Sequence, residues 1–230
     1  MPLQSYLLSA SLVCANMLNL EDEIRRIEAG GIDTIHFDVM DGLFVSRFGL
    51  HPEILQGLRT LTALPVDVHM MTNEPEAYID AFATAGATYY SVHAEACRHL
   101  HRTIQKIRAT GMKAGAALNP ATPLSVLEYV IDDIEIVVIM AIDPGILGQK
   151  LIPQQLEKIR QLKAMVSHRP EFIIQVDGGV TPETAPEMIR LGANSLVCGT
   201  GTIFRPKEAT VDEKIKTLRS LLDTEVAVHA

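Results

Sequence analysis

Two short stretches of alternating polarity carry the residues best suited to chemistry. In His36-Phe-Asp38-Val-Met40 an extended backbone turns every second side chain to one face, so His36, Asp38 and Met40 share it. The same period puts Asp67, His69 and Met71 together in Asp67-Val-His69-Met-Met71, and a third apolar run ends in Asp177-Gly178-Gly179. If these runs finish at one place, two imidazoles and two carboxylates converge. Burying two carboxylates side by side is costly unless positive charge lies between them, and a divalent cation removes the conflict. The donor set His36, Asp38, His69 and Asp177 suits one Zn2+, Fe2+, Mn2+ or Co2+ ion and does not choose among them. A single strand histidine or aspartate is more often structural; the convergence is what favours ligation. Asp67 shares the face but lies deeper, and is expected to pack or to orient His69.

Glycine marks a second chemistry, in Asp143-Pro-Gly145-Ile146-Leu147-Gly148-Gln149, Gly178-Gly179 and Gly199-Thr200. Backbone N–H groups clustered beside helix starts bind phosphate, so these three stretches on adjacent loops favour a phosphate-bearing substrate over a neutral one. Met40, Met71 and Met140 end three apolar runs, where they fill core or fence a charged intermediate with soft, polarisable side chains.

Such groups need a scaffold that brings many chain segments to one mouth. Short β-branched runs alternate with segments of helical period: Tyr6–Val13, Thr34–Val39, Val66–Met70, Tyr89–His93, Lys113–Leu118, Ile134–Met140, Phe172–Val176 and Asn194–Cys198. Each is followed by a segment able to form a helix. Glycine closes a helix before a strand at Gly31, Gly86, Gly111 and Gly192, separated by near-multiples of one βα unit. Eight such units predict an α/β fold of the closed (β/α)8, or TIM-barrel, type, with active groups at the C-terminal ends of the strands. Residues 1–230 are expected to form a single barrel domain, since no Gly/Ser linker or low-complexity tract divides the chain.

Composition narrows the partners. The chain has 230 residues, 47% hydrophobic and 5% aromatic with no Trp, which predicts a core of Leu, Ile, Val and Ala. A net charge of −8 without a basic cluster leaves no electrostatic footprint for nucleic acid or an anionic membrane, so a small molecule is the expected partner. Cys14, Cys97 and Cys198 are odd in number with no CxxC spacing, which fits a reducing cytoplasm. Leu7–Ala15 could pass for a signal-peptide core, but no Lys or Arg precedes Arg25, and the stretch is read as the first strand.

The chain resembles the ribulose-phosphate 3-epimerase family over nearly its whole length, in HFDVMDGLFV (36–45), VDVHMM (66–71), SVHAEA (91–96), LNPATPL (118–124), DPGILGQKLIP (143–153), QVDGGV (175–180) and CGTGTIF (198–204). The resemblance implies a ribulose-phosphate-binding barrel with His36, Asp38, His69 and Asp177 as metal ligands, and Asp38 and Asp177 as the acid/base pair. It further implies substrate contacts at Ser11, His69, Met40, Met71, Met140, Gly145, Ile146, Leu147, Gly148, Gly178, Gly179, Gly199 and Thr200, and a homo-oligomeric enzyme. The reaction implied is 3-epimerisation of a ketose phosphate, D-ribulose 5-phosphate to D-xylulose 5-phosphate.

Several positions depart from the family pattern. Cys14 replaces a second serine, Asn16 an Asp, Gln175 a Glu and Asp143 an Asn; Leu147 stands where glycine is common, and Ser46-Arg47 where Pro-Asn is. Cys14 and Asp143 resemble the allulose-6-phosphate 3-epimerases, which keeps a six-carbon substrate open. A decarboxylase or aldolase is disfavoured, since there is no DxKxxD array and Lys113 opens its strand at the wrong end. A non-catalytic sugar-phosphate binder is a third reading, prompted by Leu147.

Overall fold

A computed structural model describes residues 6–146, 148–205 and 209–229. Eight strands, β1 (Leu7–Ser11), β2 (Thr34–Met40), β3 (Val66–Met71), β4 (Tyr89–His93), β5 (Lys113–Leu118), β6 (Ile136–Met140), β7 (Ile173–Asp177) and β8 (Ser195–Cys198), pair in parallel in that order. The last returns to the first, so the barrel is closed. Around it run α1 (Leu20–Gly30), α2 (Pro52–Leu58), α3 (Ile79–Ala85), α4 (Leu100–Ala109), α5 (Gln154–Met165), α6 (Ala185–Arg190) and α7 (Val211–His229). Gly31, Gly86, Gly111 and Gly192 all have positive φ, as helix-terminating residues of the repeat should.

Two expectations are corrected. The first strand stops at Ser11, because Leu12–Cys14 tightens into a 3-10 turn at the barrel mouth. The strand-five unit has no α-helix: two 3-10 turns, Leu124–Leu127 and Ile131–Asp133, join β5 to β6. Apolar residues three to four apart suit a 3-10 turn as well as an α-helix, so the spacing of Leu124, Leu127, Val130 and Ile131 does not separate the two.

The apolar core lies mainly between barrel and helices. It is built by outward-facing strand residues such as Ile35, Phe37, Val68, Val92 and Val137 against Ile24, Leu55, Ile104 and Ile159, each such buried side chain being worth about 1.5–3 kcal/mol. The barrel interior is more polar than the composition suggests. Strand register places Ser9, Asp67, Gly115 and Gln175 in one inward layer and His36, Ser91, Val138 and Val197 in the next. Above them come Ser11, His69, Ala117 and Asp177. The polar members of the lower layers are buried, so the interior holds up a charged site rather than packing as pure hydrocarbon.

Candidate metal centre and active site

Strand alternation carries His36 and Asp38 inward on β2, Asp67 and His69 on β3, and Asp177 on β7. One ligand atom from each of His36, Asp38, His69 and Asp177 lies within 4.8 Å of the others. His36 Nε2 is 3.2 Å from Asp38 Oδ1 and 3.7 Å from Asp177 Oδ2, while His69 Nδ1 is 3.5 Å from each of the same oxygens. Ser11 Oγ donates to Asp38 Oδ2 at 2.8 Å, which leaves Oδ1 turned toward the imidazoles.

The supporting contacts set the direction of each ring. His36 Nδ1 lies 2.8 Å from Asp67 Oδ2, so its Nε2 faces the cluster. Asp67 therefore orients His36, not His69 as expected from the sequence. The parallel register pairs His36 with Asp67 across neighbouring strands, whereas His69 is two residues further along Asp67's own strand. His69 turns its other nitrogen, Nε2, to His93 Nε2 at 2.9 Å, and His93 Nδ1 is 3.2 Å from Glu95 Oε2.

The electrostatics favour positive charge at this spot. Burial alone would push the His36 and His69 imidazoles down, yet the carboxylates around them hold both above their ordinary value. Burial would raise Asp38 and Asp177, and the facing imidazoles bring both below the usual carboxylate range. A set of two imidazole and two carboxylate donors that attracts positive charge fits a divalent cation, and a buried site offers it little competing water. Burial pushes His93 down to about 4, so at neutral pH it is an uncharged ring.

Burial also opposes ionisation of Glu95. Hydrogen bonds from His93, Thr122 and the Asn119 amide outweigh it and bring the carboxyl to about 2. A folded-state value below the unfolded one means that its contribution to stability is complete above about pH 4.3 and is lost as the pH falls toward 2. The stability gap between the native chain and Glu95→Gln is therefore expected to narrow from pH 6 to pH 3 in urea titrations; a gap independent of pH would contradict this.

Above the cluster lies a cavity of about 380 Å³. Asp38 and Asp177 reach it, whereas His36 and His69 are fully buried beneath. Ser11, Met40, Met71, Met140, Gly145, Ile146, Gly148, Gly178, Gly179, Gly199 and Thr200, all expected from the sequence to meet substrate, line it. His69, expected against substrate as well, lies under this floor, and Leu147 falls outside the described residues. Gly178 has φ of +87°, and a Cβ there would lie 2.2 Å from Ile142 Cγ1, so the β7 loop can take this course only with glycine.

The sequence departures sort by position. Cys14 and Arg47 line the cavity, with Cys14 Sγ 3.5 Å from Ser11 Oγ. Asn16 accepts from the Leu18 amide and starts the 3-10 turn Met17–Asn19. Gln175 is buried in the barrel and donates to Ser195 Oγ at 3.1 Å. Sequence reasoning missed Arg205 and Glu183 at the cavity wall, and the His93–Glu95 pair. His93 stands in the SVHAEA stretch, but its partner Glu95 sits in the 3-10 turn Ala94–Ala96, which strand alternation does not reach.

A model of the ribulose-phosphate 3 epimerase family matches residues 7–204. The chain belongs to that family. This epimerase-family chain is 51% identical over 191 residues to the ribulose-phosphate 3-epimerase of Bacillus subtilis (strain 168), covering 82% of the chain and 88% of that protein. It is 43% identical over 217 residues to the chloroplastic ribulose-5-phosphate-3-epimerase of Arabidopsis thaliana, covering 93% and 76%. Among solved structures, KGPDC from Streptococcus mutans superposes with a TM-score of 0.70 over 96% of this chain and 99% of that one. At 15% identity that likeness speaks for the shared barrel alone.

Proposed function

We propose that this family member is an epimerase, an isomerase that inverts C3 of a ketose phosphate and interconverts D-ribulose 5-phosphate and D-xylulose 5-phosphate. The observation that carries the reading is that Asp38 and Asp177 come from β2 and β7, separated by two strands, and both open onto one cavity from one buried cluster. One carboxylate removes the C3 proton; the bonding pair moves into C2–C3 and onto the C2 carbonyl oxygen as an enediolate. The other carboxylic acid returns a proton to the opposite face of C3. Ser11 holds Asp38 in place through Oδ2, and a fixed base spares the reaction the entropy of assembling it.

An ordinary aspartate, with pKa of about 3.9 in solution, is a weak base for a carbon acid. A divalent ion held by His36, Asp38, His69 and Asp177 would supply Lewis-acid stabilisation of the negative charge developing on the sugar oxygens. The identity of the ion among Zn2+, Fe2+, Mn2+ and Co2+ is left open by this donor set. The backbone of Gly145, Ile146, Gly148, Gly178, Gly179, Gly199 and Thr200 would seat the phosphate, which sets C3 against the two carboxylates; Met40, Met71 and Met140 would pack around the sugar. Arg47 and Arg205 line the same cavity and add positive charge to a chain that is otherwise acidic.

Cys14, which with Asp143 resembles the allulose-6-phosphate 3-epimerases, lines the cavity and favours, as a second reading, the same inversion on allulose 6-phosphate. Initial rates on both sugar phosphates separate the two. The pentulose phosphate is expected to be the better substrate by kcat/KM, and a hundredfold preference for the hexulose phosphate would overturn that assignment. We also propose a cytoplasmic homo-oligomer. The three cysteines are free, no helix among the described residues is long and apolar enough to cross a membrane, and Leu18, Leu43 and Phe48 expose apolar side chains that a second copy could cover.

A further inference from the structure

His93 does not reach the cavity, yet it is fully buried against a residue assigned to the cation. It lies between His69, with ring centroids 5.0 Å apart and planes 24° apart, and Phe44, whose ring centroid is 4.7 Å away on a tilted plane. Beyond it, Glu95 Oε2 is 3.2 Å from His93 Nδ1, and Glu95 Oε1 accepts hydrogen bonds from the Asn119 amide and Thr122 Oγ1. A chain of contacts therefore runs from the β5 loop through a carboxylate and an imidazole to His69.

The partners fix the protons between the His93 and His69 rings. Two ring nitrogens 2.9 Å apart need one donor and one acceptor. Glu95 accepts, so the proton of His93 belongs on Nδ1, and His93 Nε2 is left as an acceptor. His69 must then carry a proton on Nε2, which makes Nδ1, facing Asp38, Asp177 and His36 Nε2, the nitrogen that a cation would take. The reverse placement would set a bare His93 nitrogen against a carboxylate and turn an N–H of His69 into the cluster, where no lone pair would remain for a cation. His36 achieves the same end directly, through Asp67.

We propose that Glu95 and His93 form a two-residue relay that selects the ligating tautomer of His69 and fixes its ring, so that both are positioning residues of the metal centre. This rests on the metal reading under Proposed function. Outer partners of this kind are typically worth about 10–100-fold in metal affinity when removed.

The test is the dissociation constant for Co2+, measured by chelator competition together with the visible absorption of the cobalt protein, on the full-length native chain, His93→Ala, His93→Gln and Glu95→Ala. The relay predicts Co2+ binding about 10–100-fold weaker in His93→Ala, with an altered cobalt spectrum. Glu95→Ala should be weakened about tenfold. His93→Gln, whose amide oxygen can accept from His69 Nε2, should recover most of the affinity. A merely structural His93 would lower the melting temperature and leave the Co2+ constant and spectrum of the folded protein unchanged, which would overturn the relay. If His93→Ala does not fold, Glu95→Ala carries the test alone, and native affinity there overturns the proposal. Native protein that binds no Co2+ would sink the metal reading and the relay together. Native binding with unaffected variants would sink the relay only.

Discussion

Asp38→Asn is expected to lower epimerisation of ribulose 5-phosphate by at least about a thousandfold, and Asp177→Asn by a similar factor. Acid/base groups contribute roughly 10²–10⁴ to rate, and on the proposed reading these two residues would hold the cation as well, so each substitution would remove two functions. The amide is nearly isosteric, which keeps the loss from being one of packing. The two variants should differ in what survives. With Asp38 changed, Asp177 can still exchange the C3 proton of whichever epimer presents it to β7, without delivering a proton to the other face. With Asp177 changed, the complementary epimer should exchange. Each variant incubated in D2O with each pentulose phosphate should therefore show washout from one epimer at most. Near-native turnover in either variant, or equal washout of both epimers, would contradict the two-base assignment.

Stripping divalent ions is the second large effect. With no cation, the four groups balance their charge with protons shared among imidazoles and carboxylates, as the raised His36 and His69 and the lowered Asp38 and Asp177 indicate. Prolonged chelation is expected to reduce turnover by at least about a thousandfold, since the carboxylates must then abstract a weakly acidic proton with nothing to stabilise the enediolate charge. One equivalent of a competent divalent ion should restore it. Binding also stabilises the fold: at a free concentration one hundred times the dissociation constant the gain is about 2.7 kcal/mol, or roughly 5–10 °C in melting temperature for a chain of this size. Full activity in protein shown to be metal-free would defeat the prediction, as would a melting temperature indifferent to every divalent ion tried.

The ease with which the site could be read along the chain followed its local geometry. His36 with Asp38, and Asp67 with His69, lie two residues apart, so strand period alone sets each pair on one face, and the closed barrel brings the faces together. Contacts made across strands were harder. Asp67 reaches His36 because register, which no single strand reveals, sets them side by side. His93 escaped notice because its inward neighbour on β4 is Ser91, which carries no comparable chemistry, and because Glu95 leaves the strand into a turn. Arg205 enters the cavity from a loop with no periodic pattern. The strand-five connection was misjudged because apolar residues three to four apart fit 3-10 turns and an α-helix alike. The polar barrel interior was hidden by composition, which reports how much hydrocarbon a chain holds and not which face of a strand displays it.

The most direct test follows the C3 hydrogen by NMR, using native protein of measured metal content in D2O with D-ribulose 5-phosphate. Proton transfer between two solvent-exchangeable carboxylates on opposite faces predicts xylulose 5-phosphate carrying deuterium at C3, formed at a rate that scales with bound metal. Product that keeps its original C3 hydrogen, or sugar phosphate that binds without any exchange at C3, would show that Asp38 and Asp177 do not pass a proton across that carbon.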